Sequence, residues 1–341
     1  MKKTGVLLIQ LGTPDDPSVS SVRKYLKVFL NDPRVIDIPY LLRKFLVNCI
    51  IVPFRAPKSA KIYKELWEIG NGVSPLIFHS ENLKKDLEKR FKDDNVTIEL
   101  AMRYKNPSLS SVLNRMKKTV YDKIIILPLF PQYASASSGS AIEYAMSLIS
   151  KWWVIPELSV VNQFYTNEGY INSIIERAKK HDLSSFDHIL FSYHGLPERQ
   201  VDKVYDKQTD LCSDEPCESE INENNRFCYK ATSYATTRIL VEKLGIKDGD
   251  YTVAFQSRLD KKWLTPFSDE VVENLAKKGC KRILVFSPAF VADCLETIIE
   301  IGDEYQEIFT ENGGEDVVLV ESNNSHPLFV DGVEEIIRKR L

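Results

Sequence analysis

Eight short apolar runs, each followed by a longer segment of helical period, leave this chain few ways to fold. Val6–Ile9, Thr97–Ala101, Lys123–Leu129 and Leu158–Asn162 fall before about residue 165, and His188–Ser192, Tyr251–Phe255, Arg282–Phe286 and Val317–Glu321 fall after it. Between them, Ser21–Asn31, Ser80–Asp93, Ser108–Thr119, Ser138–Lys151, Gly169–His181, Lys230–Leu244 and Asp269–Lys278 read as helices. Runs that are apolar without alternation suit strands covered on both faces, and parallel strands need crossover helices to join them. The pattern predicts an α/β protein of two similar Rossmann-like lobes. Each is a four-stranded parallel sheet flanked by helices. The expected boundaries are 1–165 for the N-terminal lobe, 166–325 for the C-terminal lobe, and 326–341 for a closing helix that packs back on the first.

Charge removes one class of partner. Lys and Arg total 45 against 48 Asp and Glu, a net charge of −3, so the electrostatic footprint of a nucleic-acid binder is missing. The opening Met1-Lys2-Lys3-Thr4-Gly5-Val6-Leu7-Leu8-Ile9-Gln10 is too short in its apolar part for a secretory signal, and a cytoplasmic location is expected. The most apolar stretch, Phe45 to Phe54, is interrupted by Asn48 and Pro53 and is too short to span a bilayer. Tyr40–Lys64 still gathers Leu41, Leu42, Phe45, Leu46, Val47, Ile50, Ile51, Val52 and Phe54, edged by Arg43, Lys44, Arg55, Lys58 and Lys61. Such a segment is either a core helix or an exposed lip that meets lipid and a flat apolar ligand bearing carboxylates.

Ligands of open α/β sheets bind beyond the carboxyl ends of the strands. Those positions hold Gln10-Leu11-Gly12-Thr13-Pro14, Phe130-Pro131-Gln132-Tyr133, Ser192-Tyr193-His194-Gly195, Gln256-Ser257-Arg258 and Ser287-Pro288-Ala289-Phe290. No glycine-rich phosphate loop follows any of these strands, which leaves nucleotide binding without support. His194, one of five histidines, stands on a strand-end turn where an imidazole suits proton transfer or metal contact. Asp293, Glu296, Glu300 and Asp303 or Glu304 recur at helical spacing and predict a ladder of carboxylates. Such a ladder is either a solvated face or a path for protons or a hydrated cation.

Cysteine usage is uneven. Cys212, Cys217 and Cys228 fall within 17 residues around the acidic run Asp210–Glu223, while Cys49, Cys280 and Cys294 stand apart. A chain this large with no signal points to free thiols or metal ligands rather than disulfides. The three are candidate ligands of a 2Fe-2S cluster or zinc, with the fourth ligand unassigned among Ser233, Cys280 and Cys294.

Leu11-Gly12-Thr13-Pro14, Phe29-Leu30-Asn31-Asp32-Pro33-Arg34-Val35-Ile36, Ser74-Pro75-Leu76, Phe130-Pro131-Gln132-Tyr133 and Ser192-Tyr193-His194-Gly195-Leu196-Pro197 occur in that order. They are followed by Phe255-Gln256-Ser257-Arg258, Trp263-Leu264, Pro288-Ala289-Phe290, Asp293-Cys294-Leu295-Glu296-Thr297 and Asn324-Ser325-His326-Pro327. Together these motifs resemble the ferrochelatases over nearly the whole chain. The resemblance implies a two-lobed fold of the class II chelatase type with the active-site cleft between the lobes, and a lyase that inserts Fe2+ into protoporphyrin IX to form haem b with release of two protons, the last step of haem biosynthesis. It leaves coproporphyrin III as the alternative substrate and a non-catalytic haem or tetrapyrrole binder as the alternative class.

By the same resemblance His194 and Glu296 are the catalytic and metal-contacting pair, and Asp293, Glu300 and Asp303 the acidic path. Leu11, Arg55, Tyr63, Arg103, Tyr133, Gln256, Ser257 and Trp263 line or support the porphyrin pocket. The 40–56 lip implies protoporphyrin and peripheral contact with the inner face of the cytoplasmic membrane. Cys212, Cys217 and Cys228 look like three ligands of the 2Fe-2S cluster that some relatives carry in an insertion at 205–228, with Ser233 where a fourth cysteine is expected.

Overall fold

All eight apolar runs form strands in the computed structural model, which describes residues 3–205, 212 and 216–341. Asp210, Asp214 and Glu215 of the acidic run lie outside the described residues. The chain divides into two units: Met1–Phe130, Ser135–Gln163 and Val333–Leu341 form the first, Pro131–Ala134 and Phe164–Gly332 the second.

In the first unit the order is β1 (Thr4–Gln10), α1 (Val19–Leu30), α2 (Tyr40–Phe45), α3 (Val52–Ile69), α4 (Pro75–Arg90), β2 (Val96–Met102), α5 (Leu109–Thr119), β3 (Lys123–Pro128), α6 (Ser140–Ile149) and β4 (Glu157–Val160). The four strands are parallel in the order β2-β1-β3-β4. Every residue of β1 is buried, as a strand covered on both faces requires. Leu7 and Ile9 of β1 and Ile124 and Ile126 of β3 pack with Leu109, Val112, Leu113 and Met116 of α5 and Ala141, Ala145 and Ile149 of α6. Ser18 and Ser108 cap α1 and α5, each accepting a hydrogen bond from the backbone N–H three residues on.

The second unit runs α7 (Glu168–Ala178), β5 (His188–His194), α8 (Glu198–Val201), α9 (Tyr229–Leu244), β6 (Tyr251–Gln256), α10 (Ser268–Lys277), β7 (Arg282–Phe286), α11 (Tyr305–Glu311), β8 (Asp316–Leu319) and α12 (Pro327–Arg338). The residues of α12 are divided between the two units. Its parallel sheet has the order β6-β5-β7-β8, the order of the first sheet repeated. In both sheets the chain leaves the central strand to one side and crosses to the other for the next. The end of β1 and the end of β5 are therefore the two switch points at which an open sheet leaves a crevice.

Three helical stretches wind as π-helix: Leu46–Ile51 between α2 and α3, Ser135–Gly139 before α6, and Glu296–Glu304 before α11. The predicted carboxylate ladder is therefore not one α-helical face. Asp293 lies on the loop before the helix, and Glu296 to Asp303 follow wider i→i+5 turns that do not keep the α-helical spacing.

Candidate functional site

His194 is the last residue of β5, in register with Gln256, the last of β6, so both stand at the switch point of the second sheet. The next residue must be small. The Gly195 N–H donates to the Gln256 carbonyl at 2.7 Å, and a Cβ at Gly195 would stand 2.6 Å from that oxygen and 3.2 Å from Cε3 of Trp263. Trp263 is held over this turn by a bridge to Pro197 and by the Leu264 N–H donating to the Leu196 carbonyl at 2.9 Å. Nδ1 of His194 is 2.6 Å from the Gly195 carbonyl. A carbonyl only accepts, so Nδ1 carries a proton toward Gly195 and, in the neutral tautomer this selects, Nε2 is the ring's acceptor.

Gln256 is a buried brace. Its Oε1 accepts from the Ser192 hydroxyl at 2.9 Å and its Nε2 donates to the Glu296 carbonyl at 3.2 Å, tying β5 to the start of the π-helix. Ser257 takes a positive φ of 63°, a strained backbone for a residue with a Cβ. From there its hydroxyl donates to Glu300 at 2.7 and 2.8 Å. Burial pushes the Glu300 carboxyl up to about 7, the Ser257 hydroxyl pulls it down, and the Glu296 charge raises it further. Glu304 is also raised, by burial and by Glu307 and Asp303. Glu296 is half-buried and Asp303 is exposed. Asp293 is enclosed: its carboxylate accepts from Asn324 Nδ2 at 2.7 Å and the Ser322 N–H at 3.2 Å, while its own N–H donates to Asn324 Oδ1 at 2.9 Å. Asn324 itself has a φ of 53°.

Glu300 makes the stability of the fold depend on pH. The folded chain holds this proton until about pH 7, whereas an unfolded one releases it near 4.5. The folded state binds more protons in that window, so stability falls as pH rises from about 5 to about 7, by at most about 1.4 kcal/mol per pH unit. Glu300→Gln is expected to flatten thermal midpoint against pH over this range. Parallel curves for the two proteins would refute the assignment.

The remaining predicted pocket residues divide by unit. Tyr133 and Trp263 are half-exposed in the second, Tyr133 edge-on to Phe227 with centroids 6.3 Å apart. In the first, Leu11 follows β1 at its switch point and Arg55 is exposed on α3. Tyr63 is buried edge-on to Tyr25 and Trp67. Arg103 is committed to its own unit. Its Nη2 is 2.5 Å from Asp32 Oδ2, its Nε donates to the Ser140 hydroxyl at 2.7 Å, and it stacks between Tyr104 and Tyr144. Asp32 collects three further donors, the Tyr104 and Ser140 hydroxyls at 2.8 and 2.6 Å and the Arg34 N–H at 2.8 Å. Its place inside Asn31-Asp32-Pro33 was the one sequence signal of this role.

The 40–64 segment is exposed on its apolar side. Tyr40, Leu41, Leu42, Phe45, Ile50 and Phe54 face solvent, Leu41 and Phe54 by 79% and 74%, while Val47 and Val52 are buried. Arg43 is not among the free cations, since its guanidinium donates to the Ile36 and Ile38 carbonyls. No described helix is long and apolar enough to cross a membrane.

Cys212, Cys217 and Cys228 come together, buried, with Sγ separations of 3.4 to 3.8 Å. Cys280 and Cys294 are not part of this group among the described residues. The Ser233 hydroxyl donates to the Tyr229 carbonyl of its own helix at 2.8 Å.

Known proteins were compared with this chain. A family model described as Ferrochelatase matches residues 3–341. A ferrochelatase of Legionella pneumophila (strain Corby) is 41% identical over 341 residues, 99% of this chain and 100% of the relative. A ferrochelatase of Coxiella burnetii (strain Dugway 5J108-111) is 41% identical over 342 residues, 99% of this chain and 94% of that one. Among solved structures, SirB from Bacillus subtilis with Fe3+ aligns with a TM-score of 0.53 at 12% identity, covering 99% and 95% of the two chains. That is a likeness of fold.

Proposed function

The chain belongs to the ferrochelatase family, a lyase that inserts Fe2+ into a porphyrin, and we propose that its porphyrin is protoporphyrin IX, converted to haem b. One observation carries the assignment of the working residues. The end of β5 presents His194 with Nδ1 tied to the Gly195 carbonyl and Nε2 left as the ring's remaining functional atom, in the same unit as a carboxylate, Glu300, that titrates near neutrality.

Metal insertion must take two pyrrole protons off the macrocycle as Fe2+ enters. His194 Nε2 accepts a pyrrole proton, and Glu296 meets the metal or the second proton. Glu300, half-protonated near neutral pH, passes protons toward the exposed Asp303 and Glu304. Asp293 acts by position: its hydrogen bonds with Asn324 fix the loop that leads into Glu296. Bending the ring to expose nitrogen lone pairs is the distortion that brings the N–H groups within reach of such a base.

The lip supports the choice of porphyrin. Protoporphyrin IX has more apolar edge than coproporphyrin III, and exposed Leu41, Phe45 and Phe54 beside Arg55, Lys58 and Lys61 suit an apolar ring with carboxylates. The same surface suits anionic headgroups at the inner face of the cytoplasmic membrane. Anaerobic assays with Fe2+ and each porphyrin test this reading, protoporphyrin being expected to show the higher kcat/KM. Preference for coproporphyrin III overturns the substrate, and tight haem binding without turnover overturns the activity. Replacing Leu41, Phe45 and Phe54 by serine together is expected to raise KM for protoporphyrin on the order of tenfold at unchanged kcat, about 1.4 kcal/mol, and to abolish flotation with anionic vesicles.

A further inference from the structure

We propose that Cys212, Cys217 and Cys228 form a mononuclear thiolate site for one thiophilic divalent cation of the Zn2+ class, distinct from the iron that is inserted. The argument is geometric. Ligands about 2.3 Å from a tetrahedral metal stand about 3.8 Å from one another. The three sulfurs are 3.4 Å (Cys212 to Cys228), 3.7 Å (Cys212 to Cys217) and 3.8 Å (Cys217 to Cys228) apart, so each pair matches one edge of a single tetrahedral face. A 2Fe-2S cluster takes four thiolates, two on each iron. Thiolates on opposite irons must stand farther apart than two on the same iron, so three sulfurs this close do not fit it. Nor are they a disulfide, whose sulfurs are about 2.05 Å apart.

The surroundings are those of a built site. The cysteines are 6%, 1% and 0% exposed. The Cys212 N–H is held by Asp202 at 2.9 Å. The Tyr205 hydroxyl is 3.3 Å from the Cys217 sulfur, and Asn225 Nδ2 is 3.9 Å from it while also donating to the Glu220 carbonyl at 3.1 Å. Such outer partners orient metal ligands. Cys228 occupies the N-cap of α9, where the helix dipole favours a thiolate. Lys230, two residues on and paired with Glu218 at 2.6 Å, supplies a cation beside the group. Three thiolates leave one tetrahedral position for an oxygen donor, for which water or the Tyr205 hydroxyl qualifies.

The site also has a route to the chemistry. Cys228 is followed by Tyr229, whose buried hydroxyl lies against the backbone N–H of His194. A metal there would pin the start of α9 behind the active-site strand.

The test uses the full-length protein purified anaerobically and loaded with Zn2+ or Co2+. The expected result is about one zinc per chain and, with Co2+, the sulfur-to-cobalt charge-transfer and strong visible bands of a tetrahedral thiolate site. A carboxylate or imidazole site does not give the charge-transfer band, which separates this metal from one at His194. Cys217→Ser and Cys228→Ser are expected to lose the bands and the zinc, and Cys294→Ser to keep both, with circular dichroism reporting the fold of each. Absence of the charge-transfer band in the unmutated protein overturns the proposal whatever the variants do. So does iron found with equimolar acid-labile sulfide.

Discussion

Replacing His194 by alanine is expected to lower the turnover of Fe2+ insertion by about 100- to 10,000-fold, the range over which a positioned base contributes, with porphyrin affinity nearly unchanged. The prediction rests on where the proton already sits. The Gly195 carbonyl holds Nδ1–H at 2.6 Å, so the neutral ring offers Nε2 and takes up a proton there without first changing tautomer. The side chain itself contributes little to the fold, since its described ring neighbour is Phe290, tilted, with centroids 6.3 Å apart. Steady-state rates with porphyrin fluorescence titration separate the two quantities. Wild-type kcat in His194→Ala would remove His194 from proton transfer.

Replacing Asp32 by alanine is expected to cost about 3–5 kcal/mol, the usual penalty for stripping one partner from a buried ion pair. Asp32 is 3% exposed at its side chain and Arg103 15%, and the carboxylate is also the acceptor for the hydroxyls of Tyr104 and Ser140. Its loss takes the carboxylate from a guanidinium and leaves the fully buried Tyr104 hydroxyl with Ser140 as its remaining partner. The cost is to be read as a lower thermal midpoint together with an earlier denaturant transition, because a chain of two units need not unfold in one step. A change within about 0.5 kcal/mol, the scatter of ordinary surface substitutions, would show that the pair is dispensable. Arg103 would then be free to serve a bound carboxylate.

These two residues show what was legible in the sequence. His194 could be placed because strands and their ends are written in local periodicity: a run of apolar residues stops, and functional groups follow. All eight strands were found that way. Arg103 resembled a ligand-binding cation, but its partner Asp32 is 71 residues away, and no local pattern reports a pairing of that length. The spacing of the carboxylate ladder differs from expectation for another reason. Its spacing was measured against an α-helical period, whereas Glu296–Glu304 winds as π-helix and Asp293 is outside it, bonded to Asn324. The lip could not be resolved from composition, because an apolar segment looks the same whether it packs inward or faces solvent. Exposure of Leu41 and Phe54 decided the matter.

The three π-helical stretches have a consequence for how the chain tolerates changes of length. Each i→i+5 turn encloses one residue more than an α-turn, so removing a single residue lets the helix close with better hydrogen bonds while everything beyond rotates about the axis. Leu46–Ile51 precedes Phe54 and Arg55, Ser135–Gly139 precedes the Ser140 that bonds Arg103, and Glu296–Glu304 carries Glu300. In these three places a deletion that spares the fold would re-aim every side chain that follows on the same helix, so the count of residues there constrains the chain over and above their type.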